Sequence, residues 1–144
     1  MFDGIDMAIQ PFFIGREGWP IWAERLSPHV EKMAAGSGGR FLACDIQECL
    51  AHGRMQMWVV LDGSEIACAM LTELIVYPRA KALRCIGIVG HRPKRWMHLL
   101  ALVEESGRLN FGCDRLEAMH PAGYERLLKT GGWKVFHLLS EKAL

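Results

Sequence analysis

The chain has 144 residues, 51% of them apolar and 23% charged, with a net charge of +1. That length fits one domain whose core needs no disulfide or metal staple, and the composition excludes a disordered chain. The near-neutral balance offers no strong field to nucleic acid or to an anionic membrane, although one local basic cluster stands at His91, Arg92, Lys94 and Arg95.

Residues 1–18 mix apolar side chains (Phe2, Ile5, Met7, Ile9, Phe12, Phe13, Ile14) with the breakers Gly4, Pro11 and Gly15. They are expected to form an irregular apolar N-terminal arm that packs on its own domain or on a partner. Residues 19–144 are expected to form a single domain. Trp19-Pro20 opens a helix carrying Ile21, Trp22, Leu26, Val30 and Met33, with Pro28 able to kink it and Gly36 ending it. A second helix starts from Asp45 as its cap and stops at Gly53.

The pattern then changes. Met55–Leu61 reads as a strand, Asp62-Gly63 as a hairpin turn and Glu65–Val76 as a second strand. Tyr77-Pro78-Arg79-Ala80 turns the chain into a third strand, Lys81–Val89, apolar from Leu83 except at Arg84. Pro93 to Leu109 is an amphipathic helix, Gly112–Met119 a short strand, Pro121–Lys129 a helix ended by Gly131-Gly132, and Trp133–Leu139 a last strand. The fold class is α/β of the α+β kind: a mixed central sheet flanked by helices, an antiparallel meander followed by a β-α-β crossover.

Five cysteines (Cys44, Cys49, Cys68, Cys85, Cys113) form no CxxC pair, which predicts reduced thiols used as small hydrophobes. The longest apolar run, Ile66–Leu71, is far short of the roughly 20 residues of a membrane span. With no signal-peptide pattern, the chain is expected in the cytoplasm of the cell that makes it. His91, His98 and His120 lack metal-ligand spacing with the cysteines, so no metal is expected.

The order of elements, with Gly112-Cys113-Asp114-Arg115-Leu116-Glu117, then Tyr124-Glu125-Arg126-Leu127-Leu128-Lys129 and Gly132-Trp133, resembles the GNAT acyltransferases. From Met57-Trp58-Val59-Val60 through Tyr77-Pro78-Arg79 to Trp96 it resembles the small GNAT-like proteins of tailed bacteriophages in particular. The resemblance implies a loop after the third meander strand whose backbone N–H groups, at a helix N-terminus, hold the acetyl-CoA pyrophosphate.

Here that stretch is Val89-Gly90-His91-Arg92-Pro93-Lys94-Arg95-Trp96. Gly90 is its one glycine, Pro93 lacks an N–H, and Arg95 and Trp96 are bulky. If acetyl-CoA binds, Gly90, Arg92, Lys94 and Arg95 are the expected contacts, through side chains more than backbone; the alternative is a solvated basic turn. Family members place a Tyr acid four residues before the Gly-aromatic pair, where this chain has Leu128. If the chain is an enzyme, Tyr124, one turn earlier, substitutes as acid and Glu73 is the base; otherwise Tyr124 is a packing residue and Glu73 a polar-face residue. The expectation is therefore a non-catalytic, GNAT-like phage protein with no bound cofactor. It would act through protein contacts as a virion component docked by its N-terminal arm, with no nucleic-acid or membrane partner. The alternative is an active N-acetyltransferase moving an acetyl group from acetyl-CoA to an amine.

Overall fold

The computed structural model describes residues 9–90, 93–120, 124–135 and 139–144. Between Met55 and Val60 every side chain is buried. Met55, Met57 and Val59 point to one face and Gln56, Trp58 and Val60 to the other, so this strand lies in a sheet covered on both sides. The elements in chain order are β1 (Ile9–Ile14), α1 (Trp19–Ala35), α2 (Ala43–Ala51), β2 (Met55–Asp62), β3 (Glu65–Val76), β4 (Lys81–Gly90), α3 (Pro93–Leu109), β5 (Arg115–Ala118) and α4 (Glu125–Thr130). The strands form one five-stranded sheet in the order β1-β2-β3-β4-β5. All neighbours are antiparallel except β4 and β5, which are parallel across the α3 crossover.

Two cores follow from strand alternation. On one face Trp19, Leu26, Val30 and Met33 of α1, with Ile46 and Leu50 of α2, pack on Met55, Met57, Val59, Ala69 and Leu71. On the other, Leu99 and Val103 of α3 and Leu128 of α4 pack on Trp58, Val60, Cys68, Met70 and Leu83. The second core holds a closed polar chain. The Trp58 indole N–H donates to the Thr72 hydroxyl at 2.8 Å, which donates to Gln56 Oε1 at 2.9 Å. Buried polar groups are stable when their partners are met in this way.

The structure corrects several sequence expectations. Part of the segment read as an irregular arm, Ile9–Ile14, is a strand paired with β2. Pro11, which argued against a strand, is tolerated because β1 is the edge of the sheet among the described residues. Asp45 is not the cap of α2; it stands in the first turn and accepts a hydrogen bond from the Leu42 N–H at 2.8 Å. Gly112, at φ +64°, turns the chain, so β5 starts only at Arg115. The helix read over Pro121–Lys129 is Glu125–Thr130, with 121–123 outside the described residues. Of the last strand read over Trp133–Leu139, the described residues 133–135 and 139 carry no strand, and 136–138 lie outside the description. All five cysteines are free thiols. No helix among the described residues is long and apolar enough to cross a membrane.

Candidate functional site

Among the described residues the sheet parts between β4 and β5. Thr72 pairs with Cys85 but Leu71 pairs with Gly87, so Ile86 is an extra residue on β4, a β-bulge that bends the strand. On the other side of β4, pairing with β5 runs from Ala82–Arg115 to Cys85–Ala118. It closes with the Met119 N–H donating to the Cys85 carbonyl at 3.0 Å. From Ile86 onward β4 continues to Gly90 beside β3 alone among the described residues. Bulge and parting coincide, leaving an opening between β4 and the chain leaving β5 among the described residues.

Gly90 ends β4 at the head of this opening. A Cβ there would come within 3.0 Å of the Ala67 carbonyl oxygen and 3.1 Å of Cys68 Cα. The glycine is therefore required by the close backbone of β3, whatever else the loop does. Lys94 and Arg95 lie in the first turn of α3, which begins at Pro93. Arg92 and the side chains of Lys94, Arg95 and Trp96 lie outside the described residues.

Glu73 is half-buried on β3, opposite Met55 and Arg84. Alternation with Leu71 puts it on the α1/α2 face. Tyr124 stands at the start of α4, half-buried and packed against the core on the α3 face. The sheet thus separates the two residues read as base and acid. Leu128 is a buried core residue.

Sequence reasoning missed a second group. Arg84 on β4 and Glu117 on β5 are register partners beside the opening, on the same face as Glu73. Arg84 Nε donates to Glu117 Oε1 at 3.2 Å and Arg84 Nη2 donates to the Tyr77 hydroxyl at 2.7 Å. That hydroxyl donates to Glu117 at 2.8 Å, closing a ring of three side chains. Burial opposes the charge on Arg84, but Glu117 and Tyr77 outweigh it and raise the guanidinium pKa. The lone arginine in an apolar strand was the available signal.

No protein-family model matches the chain, and no curated protein matches it. Solved structures do. An aminoglycoside acetyltransferase from an uncultured soil metagenomic sample matches with a TM-score of 0.70 at 12% identity, over 96% of this chain and 99% of that one. A second such enzyme, in complex with sisomicin, matches at 0.63 and 10% identity over 94% and 97%. A possible acetyltransferase from Clostridium difficile 630 matches at 0.66 and 5% identity over 95% and 98%. At these identities the likeness speaks to fold alone. The described residues build a five-stranded mixed sheet flanked by helices, the GNAT-like acetyltransferase fold.

Proposed function

We propose that this chain binds an acyl-CoA thioester in the opening between β4 and β5 and transfers the acyl group to an amine. The observation that carries this reading is the coincidence of the Ile86 bulge with the end of β4–β5 pairing. Backbone groups of Ile86–Gly90 that point away from β3 have no strand partner among the described residues, and a pantetheine arm carries amides able to pair with them. The non-catalytic reading rests on the altered loop, on Leu128 and on the apolar arm; the opening supports the enzymatic one. A neutral amine attacks the thioester carbonyl, the C–N bond forms and the C–S bond breaks. Glu73 takes the proton from the nitrogen, and Tyr124 gives one to the departing thiolate. Arg92, Lys94 and Arg95, with Gly90, hold the pyrophosphate.

A second reading, a virion-associated protein acting through protein contacts, draws on two observations. Pro93 removes an N–H from the first turn of α3, and Phe12 and Phe13 on the edge strand are exposed. Titration calorimetry with acetyl-CoA separates the two. Saturable binding is expected, and the double variant Arg92→Glu/Arg95→Glu should weaken it by at least about a hundredfold, since each charged hydrogen bond is worth about 1.5–3 kcal/mol. Absence of binding by the unaltered chain at millimolar acetyl-CoA would refute the transferase reading and favour the second.

A further inference from the structure

We infer that the ring of Tyr77, Arg84 and Glu117 is the pin that fixes where β4 and β5 part, and so positions the mouth of the acyl-CoA opening; the second half of this inference rests on the function proposed above. The ring spans the register pair Arg84–Glu117, one rung before the final pair Cys85–Ala118 and the closing Met119-to-Cys85 bond. The other end of the parallel pair has its own tie. There the Asp114 N–H donates to the Lys81 carbonyl at 2.9 Å, and the Lys81 N–H donates to Asp114 Oδ2 at 3.0 Å. β5 is only Arg115–Ala118, too short to hold its register by ladder bonds alone while the bulge next to it bends β4 away.

The pin is a set of half-buried, charge-assisted bonds. Side-chain exposure is 32% at Arg84 and 31% at Glu117, which screens the pair less than an open surface would. Tyr77 gives it a third point, from the turn between β3 and β4, so β5 is tied to that turn as well as to its neighbour strand. Arg84 is also the register partner of Glu73 in the β3–β4 pairing. The guanidinium bonded to Glu117 and Tyr77 therefore holds the edge of the face on which Glu73 stands. These three residues position the site and take no part in bond making.

The test is amide hydrogen exchange on the whole chain, with Tyr77→Phe as the mild variant and Glu117→Gln as a second that keeps side-chain shape. In both, the Met119 amide should exchange about ten- to a hundredfold faster, the range expected for losing a charged hydrogen bond. Amides in the β2–β3 ladder should be unchanged. No change at Met119, or a uniform rise across the sheet, overturns the pin. Acetyl-CoA affinity is then compared in the same proteins. A loss of about tenfold or more in both variants is expected; a loosened Met119 with affinity unchanged overturns the positioning role. If the unaltered chain binds no acetyl-CoA, the transferase reading and the positioning role fall together, while the exchange data still decide the pin.

Discussion

His29 lies on α1 with its Nδ1 buried and without a hydrogen-bond partner among the described residues. Burial, and then the charge of Lys32 less than one turn on, hold its pKa below the ordinary 6.5. The unfolded chain therefore takes up a proton before the folded chain does. The contribution of this residue to stability is complete above about pH 6.5, falls as the pH drops through that value, and levels off below the folded-state pKa. Melting temperature should fall between pH 7 and pH 5, and His29→Gln should flatten part of that fall. Equal pH slopes in the two proteins would show that His29 carries none of it. The legibility of single residues follows the range of their partners. Arg84 stood out in the sequence as the one charge in an apolar run. Its partners are seven residues away at Tyr77 and 33 away at Glu117, and no local pattern links them.

Among the strands, β4 is where side chain and backbone differ most in what they do. Leu83 is fully buried against α3, whereas Ile86, the extra residue of the bulge, is half-buried beside the α1/α2 core. Leu83→Ala should cost about 2–5 kcal/mol, and Ile86→Ala less, about 1–2 kcal/mol, because a half-exposed site leaves a smaller cavity. Urea midpoints of the two variants check the order; the reverse order would mean that Ile86 lies inside the core. The strand itself was readable from Leu83 onward because apolar content is local information. The bulge was not, since an extra apolar residue in an apolar run changes no pattern, and it is defined only against β3. For the same reason β1 was missed: Pro11 punctuates the sequence, and only its place at the sheet edge makes it harmless.

Across the whole molecule, β2 and β3 join both cores residue by residue, so neither layer can loosen without exposing the backs of the same strands. Trp19 and Trp22 report on one core, Trp58 and Trp133 on the other. Tryptophan fluorescence and far-ultraviolet circular dichroism should give coincident urea transitions; two separated transitions would mean that one helical layer melts alone. The order of elements from α1 to α4 was legible because periodicity and turn residues are local. The opening beside Ile86 has no local signature, because it is made by pairing that stops; it follows only from the order of elements and the family resemblance, which set the cofactor between the strand ending at Val89 and the strand at Leu116–Met119. The buried chain from Trp58 through Thr72 to Gln56 has a consequence for how the sheet is assembled. A slip of β2 against β3 by one residue is rejected by hydrophobicity, since it turns every side chain to the wrong face. A slip by two preserves the faces and escapes that check. It would, however, move the Trp58 indole from Thr72 toward Met70 or Leu74, leaving a buried N–H with no acceptor at a cost of about 1–3 kcal/mol. The triad thus acts as a proofreader of strand alignment, discriminating between alternatives that burial of apolar surface cannot tell apart.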